Sequence, residues 1–364
     1  MPLSLSLSVA SRLYFVLGAS GNVGIDAMKL YFALGREGRW PEVTEATKIF
    51  FATMARTPTA PRDDDAMKQG VKLYLAGIDG SGQNPAALLA HEHAPIKELS
   101  ILASYFYFKK WTAKRIKQRY EGVPVTLFAD SGGFSGMSLN QHVRLKDYIT
   151  WIQENEADIA FYANLDSIGD PVKTRRNQLI MEGEGLKPIP VFHVNSDWKY
   201  LDEMIANGAT YIALGGMVPY LKGHTKSALG NWVRQAFERI GDCKVHGFGV
   251  GTTWDIAKFF PWTSIDSSSW TSVFQFRQLA LFDEKKANYI PIDLGSESKA
   301  IFKHAALLRT YGFTPGDFYP AKRYSYVKAG ALSVMSVLRA EAWLRKHGGE
   351  GWRARLQQKK QSKK

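Results

Sequence analysis

The feature that most constrains this fold is an alternation, from residue 71 onward, of short apolar runs with amphipathic segments of helical period. Eight of these runs have the length and residue content typical of buried strands. They are Val71–Ala76, Leu99–Phe106, Val123–Ala129, Asp158–Asn164, Ile189–Val194, Tyr211–Leu214, Lys244–Val250 and Thr263–Asp266. The helical segments between them include Leu145–Asn155, Pro171–Glu182, Lys199–Asn207 and Lys226–Ile240. Eight βα units within about 200 residues predict an α/β fold of the (β/α)8 TIM-barrel type.

The two ends of the chain depart from this repeat. Residues 1–70 contain one strand-like run, one helical segment and a linker-like stretch, so we expect an N-terminal appendage before a catalytic barrel at residues 71–283. Residues 284–364 are expected to form a C-terminal helical extension. The helices predicted there are Ser298–Tyr311 and Tyr326–Lys346. We expect disorder in the basic tail formed by the last six residues, Lys-Lys-Gln-Ser-Lys-Lys.

Composition narrows the classes of function. The 364 residues include 47 Lys and Arg against 34 Asp and Glu, and this net charge of +13 favours a nucleic-acid partner. The alternative is that the excess charge serves only solubility. Cys243 is the single cysteine, which excludes a zinc site built from several thiolates. No apolar stretch approaches the ~20 residues of a membrane helix, and no signal peptide is evident, so we expect a cytoplasmic protein without a membrane partner.

A glycine-rich segment near the N-terminus, Gly-Ala-Ser-Gly-Asn-Val-Gly at 18–24, resembles the phosphate-binding loop of dinucleotide-binding proteins. Such a loop needs a second strand about 20 residues later, ending in an acidic residue for the ribose. The sequence at that distance, Gly-Arg-Trp-Pro-Glu-Val-Thr, is typical of a turn and a helix. An NAD-dependent oxidoreductase is therefore an alternative that rests on this segment alone.

In a (β/α)8 barrel the reactive groups follow the carboxyl ends of the strands, and polar residues occupy those positions here. Three of them are carboxylates, Asp130, Asp166 and Asp266. Each alone could equally cap a helix, but three at one rim favour chemistry. The same rim is expected to hold a glycine pair and an aromatic residue on each of two loops: Gly215, Gly216, Phe134 and Phe248.

This set of groups suits a purine base, because aromatic faces stack on the ring and amides bared by glycine approach its edge. Two carboxylates on opposite sides of an anomeric carbon can displace a base with retention, one as nucleophile and the other as acid and then base. That chemistry needs neither a metal nor a cofactor. His193, His224 and His246 share no metal-ligand spacing, so we interpret most of them as structural histidines.

At these residues the chain resembles the tRNA-guanine transglycosylase superfamily, and within it the phage enzymes that insert 7-deazaguanines into DNA. The resemblance runs from about residue 71 to about residue 282. Its most specific element is Asp-Ser-Gly-Gly-Phe at 130–134, followed in order by Asp166, Leu-Gly-Gly at 214–216 and Gly-Val-Gly-Thr at 249–252. Two further segments resemble the phage branch in particular, namely residues 101–110 and 265–270.

The resemblance implies a transferase that exchanges guanine in DNA for a free 7-deazapurine base such as preQ0, a modification that evades restriction. Asp266 would attack the sugar C1′ to form a covalent glycosyl intermediate, and Asp130 would transfer the protons. The implied base-binding residues are Ser131 and Asp166 at the purine edge, the amides of Gly215 and Gly216 at its carbonyl oxygen, and Phe134 and Phe248 on its two faces.

The sequence also departs from the superfamily pattern. His193 stands where a glutamine that helps to bind the base is expected. The zinc site of the tRNA enzymes, three cysteines and a histidine, cannot be formed with Cys243 alone. Ser-Ser-Ser-Trp at 267–270 replaces a segment that contains arginine in those enzymes. These losses fall on parts that serve tRNA, so DNA is the expected polymer.

Two alternatives to a DNA-guanine transglycosylase stay open, a zinc-free enzyme acting on tRNA and an inactive barrel that only binds nucleic acid. The basic segment 109–119 is expected either to follow a phosphate backbone or to be an ordinary solvated face of the barrel. The oligomeric state is open between a monomer and a homodimer.

Overall fold

The computed structural model describes residues 70–80, 82–139, 141–220, 225–295, 298–319 and 326–362. The expected appendage at 1–70, apart from its last residue, and the glycine-rich segment at 18–24 lie outside these residues. His224 lies outside them too.

Eight short parallel strands form one sheet, and each lies within a predicted apolar run or extends it by one residue. They are β1 (Lys72–Leu75), β2 (Leu99–Ser104), β3 (Val125–Asp130), β4 (Phe161–Tyr162), β5 (Val191–His193), β6 (Tyr211–Gly215), β7 (Lys244–Gly247) and β8 (Ser264–Ser267). The order across the sheet is β4-β3-β2-β1-β8-β7-β6-β5. The prediction of an α/β fold with eight parallel strands is therefore confirmed.

Helices lie between the strands and pack on the sheet. They are α1 (Gln83–His93), α2 (Tyr105–Phe108), α3 (Ala113–Gln118), α4 (Gly133–Ser138), α5 (Leu145–Asn155), α6 (Pro171–Gly183), α7 (Trp198–Ala206), α8 (Thr225–Ile240) and α9 (Trp254–Phe259). One face of α5 is buried in the core, because its buried residues recur at helical spacing. They include Tyr148, Ile149, Ile152 and Asn155.

The sheet is strongly curled. The rings of Phe128 on β3 and His246 on β7 have centroids 4.7 Å apart, although four strand spacings separate these strands in the sheet order. A flat sheet would hold them about 19 Å apart, since neighbouring strands lie ~4.8 Å apart. Beyond the two edge strands, an isolated parallel bridge pairs Ala163 with Ile189. This geometry is compatible with a (β/α)8 barrel.

The curl divides the buried side chains into two layers. The concave layer is lined by aromatic and aliphatic residues from several strands, and its ring contacts include Tyr74 with Phe128 at 5.4 Å and Phe161 with Tyr211 at 5.8 Å. The second layer lies between the strands and the helices. The concave layer therefore forms a packed floor beneath the carboxyl ends of the strands.

The region after β8 differs from the predicted helical extension. Helix α10 (Ser272–Phe276) precedes an antiparallel hairpin of β9 (Gln278–Asp283) and β10 (Asn288–Asp293), which the sequence analysis missed. Pro291 lies within β10, and proline is tolerated only in an edge strand, so the run lacks an ordinary strand signature. The hydroxyl of Ser336 accepts from Phe282 N and donates to Ala280 O, both at 2.8 Å.

The helices after the hairpin are α11 (Ala305–Arg309), α12 (Tyr326–His347) and α13 (Glu350–Gln361). The first residues of the basic tail belong to α13, so the expectation of disorder is wrong for residues 359–361. The helix is held by the buried Trp352, and Lys359 forms an ion pair of 2.6 Å with Glu238. None of the helices in the described ranges is long and apolar enough to cross a membrane.

Candidate active site

The carboxyl ends of the parallel strands bring the predicted polar residues to one edge of the sheet. Asp130 is the last residue of β3, His193 the last of β5 and Gly215 the last of β6. Asp266 is the third residue of β8, and Asp166 follows β4. These five residues share one edge although up to 136 positions separate them in the sequence, from residue 130 to residue 266.

Asp166 is bound through both of its carboxylate oxygens. The Ser131 hydroxyl donates to Oδ1 at 3.0 Å, and Nε2 of His193 lies 2.7 Å from Oδ2. A carboxylate oxygen only accepts, so the proton of the His193 contact belongs to Nε2. These contacts connect the chain after β3, the chain after β4 and the end of β5 in one network. Ser131 and His193 are both buried, so the network is shielded from water.

The glycine pair lies against the ring of His193. A Cβ atom added to Gly215 would lie 3.0 Å from Cδ2 of His193, closer than side chains normally approach. The Gly215 carbonyl accepts from Val194 N at 3.2 Å, and Gly216 follows directly after the strand. The absence of a side chain at Gly215 is thus what allows His193 to reach Asp166.

Asp130 lies close enough to the other carboxylates for their charges to act on it. Its Oδ2 accepts from the backbone amide of Gly132 at 3.0 Å. Burial, followed by the charges of Asp166 and Asp266, raises the pKa of Asp130 to about 7, and the Gly132 amide only partly opposes that shift. A carboxyl group with this pKa can both give and take a proton near neutral pH.

Asp266 is 7% exposed and is held through one oxygen. The amide of Gly249 donates to Oδ1 at 2.8 Å, and Nε2 of His246 lies 3.4 Å from the same atom. Gly249 has φ +70°, in the left-handed region, and its position leaves no room for a Cβ beside Val218. Glycine at residue 249 is therefore required for the turn that aims its amide at Asp266.

The two predicted aromatic residues lie in different surroundings. Phe134, on the short helix α4 that follows Asp130, is 43% exposed. Phe248 is partly buried against the concave layer, with its ring 4.6 Å from His246 and 6.0 Å from Phe128. Phe248 is therefore held in place by its neighbours, whereas Phe134 is exposed to solvent.

The sequence analysis missed a line of buried polar side chains beneath Asp266. Nδ1 of His246 lies 2.6 Å from the Ser264 hydroxyl, and that hydroxyl lies 2.6 Å from the hydroxyl of Tyr211. The contact of His246 with Ser264 agrees with its interpretation as a structural histidine, but the sequence analysis did not note that His246 stands two residues before Phe248, on the same face of the chain. The signal available in the sequence was a polar residue, His246, at a position of β7 that faces the concave side of the sheet.

Nothing in the described part of the chain forms a group of three or more His, Cys, Asp or Glu side chains arranged to hold a metal ion. A comparison of the sequence with models of known families and with curated proteins finds no match. The resemblance to the guanine transglycosylases therefore rests on the motif residues themselves.

Proposed function

We propose that the chain is a closed (β/α)8 barrel and a DNA-guanine transglycosylase, which exchanges guanine in DNA for a 7-deazaguanine base. The observation that carries this proposal is the pairing of two carboxyl groups in different environments at one edge of the sheet. Asp130 has a pKa of about 7, while Asp266 is fixed by the Gly249 amide. Environments that separate two carboxyl groups in this way are typical of an acid paired with a nucleophile.

The reaction proceeds in two displacements. In the first, Oδ2 of Asp266 bonds to C1′ as the C1′–N9 bond breaks, and N9 of the departing guanine takes a proton from Asp130. In the second, Asp130 removes the proton from N9 of the incoming 7-deazaguanine, which attacks C1′ and releases Asp266. The two inversions give net retention at C1′, and no other reactant is consumed.

The network around Asp166 supplies the recognition of the base. Asp166 and Ser131 face the purine edge, and the amides at Gly215 and Gly216 bind its carbonyl oxygen. Phe248 provides a fixed stacking surface and Phe134 an exposed one. His193 takes the place of the expected glutamine by donating to Asp166 at 2.7 Å, so it positions a base-binding carboxylate.

The segment after β2 supports a nucleic-acid substrate beside this site. Tyr107, Lys109 and Lys110 are exposed and follow the carboxyl end of β2, whose last residue pairs in register with Asp130. By contrast, Lys117 forms an ion pair with Asp158 at 3.1 Å, and Arg119 donates to the Ile78 carbonyl at 3.0 Å.

The predicted basic segment 109–119 therefore divides into two parts. Lys109 and Lys110 are exposed to solvent and can meet a phosphate backbone, and Tyr107 just before them can stack on an unstacked base. The charges of Lys117 and Arg119 are instead used in contacts within the protein. To be attacked at C1′, the guanosine must leave the base stack, so locally melted DNA is the expected substrate form.

The test is an incubation of the protein with labelled preQ0 or guanine and equal amounts of DNA and tRNA. Both polymers are then digested, and the modified nucleosides are identified by mass spectrometry, with the Asp266→Asn variant as the control. With the parent protein we expect label in DNA and none in tRNA. With Asp266→Asn we expect no label in either polymer. Label in tRNA alone would establish the zinc-free tRNA enzyme. Label in neither polymer from folded protein would favour a missing partner protein or a binding-only barrel.

A further inference from the structure

The line of polar groups beneath Asp266 consists of three side chains on three neighbouring strands. Tyr211 on β6, His246 on β7 and Ser264 on β8 are 7%, 0% and 1% exposed. His246 and Ser264 are register partners, so their side chains project from the same level of the sheet. Water has little access to these groups, so their polar atoms depend on hydrogen bonds within the protein.

The contacts determine which atom of each hydrogen-bonded pair carries the proton. Nε2 of His246 is buried and has no hydrogen-bond partner in the described residues, but it lies 3.4 Å from Oδ1 of Asp266. An ionised carboxylate can only accept, so a proton on Nε2 makes this approach attractive, and a lone pair there would make it repulsive.

The rest of the line follows from that proton. With Nε2 protonated, Nδ1 of the neutral ring is an acceptor, so the Ser264 hydroxyl donates to it at 2.6 Å. The oxygen of Ser264 then accepts from the Tyr211 hydroxyl at 2.6 Å. Every group in the line donates towards Asp266, and the tautomer of His246 is set by a residue that does not touch the carboxylate.

The aromatic neighbours fix the orientation of the ring. The His246 ring lies 4.6 Å from Phe248, 4.7 Å from Phe128 and 6.2 Å from Tyr74, measured between centroids. These rings provide no counter-charge and leave little room for the imidazole to rotate. His246 is therefore held with its Nε2 edge towards Asp266.

The two oxygens of Asp266 are consequently unequal. Oδ1 faces the Gly249 amide and His246, whereas no hydrogen bond from the described residues reaches Oδ2. A nucleophilic carboxylate needs one oxygen without a donor to form the ester, and a donor on the other stabilises the carboxylate that leaves in the second displacement. Such contacts are often long in the absence of substrate and shorten in the reacting complex.

We propose that His246 is a positioning residue that holds Oδ1 of Asp266 and leaves Oδ2 to attack C1′, with its tautomer fixed by Ser264 and Tyr211. This inference rests on the proposed function for the identity of the reaction. Its structural part, the Nε2–H tautomer, does not depend on whether the protein transfers bases.

The first experiment measures the imidazole ¹⁵N shifts of His246 in the full chain, assigned by comparison with the His246→Gln variant. We expect the neutral Nε2–H form in the parent protein and a shift towards the Nδ1–H form in Ser264→Ala. The matched control is Ser336→Ala, which removes another buried serine hydroxyl and should leave the signal unchanged. A parent protein in the Nδ1–H form would overturn the inference, even in a protein without exchange activity.

The second experiment measures the rate of covalent adduct formation in a single turnover and, separately, the affinity for the free base. In His246→Phe the adduct rate should fall about tenfold to a hundredfold, with the base affinity unchanged. His246→Gln, which retains a donor, should recover part of that loss. An adduct rate within about twofold of the parent, or a loss confined to base affinity, would refute the positioning role. Absence of exchange in the parent protein would instead refute the proposed function.

Discussion

Nε2 of His193 lies 2.7 Å from Oδ2 of Asp166 and connects the end of β5 with the chain that follows β4. Removing this donor leaves a nearly buried carboxylate oxygen without a partner. In His193→Ala we expect the dissociation constant of the free base to rise about tenfold, with a smaller effect on the adduct rate. His193→Gln retains a donor and serves as the control. Calorimetric titration with the base measures the effect, and equal affinities for parent and alanine variant would contradict it.

Replacement of the two carboxyl groups that we propose to be catalytic should give different outcomes. Asp266→Asn removes the attacking oxygen at nearly constant shape, so no covalent DNA adduct should form. Asp130→Asn removes the proton donor but keeps the nucleophile, so adduct should still accumulate at a rate lower by about 10²-fold or more. Denaturing gels of protein trapped with DNA distinguish the two variants. Near-normal exchange by Asp266→Asn would show that the roles are wrongly assigned.

The pKa of Asp130 predicts how adduct formation depends on pH. In the proposed reaction the protonated acid is the form that gives a proton to guanine, and burial with the charges of Asp166 and Asp266 raises the pKa of Asp130 to about 7. The adduct rate should therefore be highest below pH 7 and fall about tenfold per pH unit above it. Single-turnover rates from about pH 5.5 to about pH 9 test this dependence. The slope should disappear in Asp130→Asn, and a parent rate that does not change across pH 7 would exclude Asp130 as the acid.

The same raised pKa predicts an effect on folding stability. A carboxyl group whose pKa is higher in the folded state binds more protons there, so its contribution is lost as pH rises from the unfolded value of 3.8 through about 7. Because each pKa unit corresponds to about 1.4 kcal/mol, Asp130→Asn should raise the free energy of unfolding by up to about 4 kcal/mol at about pH 8 and leave it nearly unchanged at about pH 3. Urea unfolding at the two pH values gives the comparison. Equal changes at both values would mean that the ionisation of Asp130 is not responsible.

The exposed lysines after β2 should contribute to DNA affinity. Replacing Lys109 and Lys110 by alanine should weaken DNA binding and reduce the slope of log K against log salt by about 2. The matched control replaces Lys285 and Lys286, an exposed pair in the turn between β9 and β10. Fluorescence anisotropy at several salt concentrations measures both slopes. Equal losses in the two double variants would assign the effect to net charge alone.

Much of the fold could be predicted from the sequence, because the eight apolar runs coincide with strands that are buried on both faces. The ends of the strands were less predictable, since apolar residues continue past the point where pairing stops. The run predicted to reach Phe106 turns into α2 at Tyr105, and the run predicted to reach Val250 stops pairing after Gly247. Neither turn changes the apolar character of the sequence.

The residues of the candidate site that belong to sequence motifs could be predicted. The side chains that hold another site residue in place could not. The four polar residues and the glycine expected at the strand ends do share one edge of the sheet. His193 could be placed there, but its contact with Asp166 depends on the fold bringing residues 27 positions apart to 2.7 Å. The relation of His246, Ser264 and Tyr211 required the strand register, which a single sequence does not provide.

The isolated bridge between Ala163 and Ile189 has a consequence for the durability of the site. It lies beside the two shortest strands, β4 with two residues and β5 with three, whereas β1 and β8 are paired over four positions. Thermal opening of the sheet should begin where the two shortest strands meet, between β4 and β5. Such an event separates Asp166 from His193 but leaves Asp266 with its donors on β7 and the loop after it. The contacts proposed to recognise the base should thus be lost at a lower temperature than the contacts that hold Asp266.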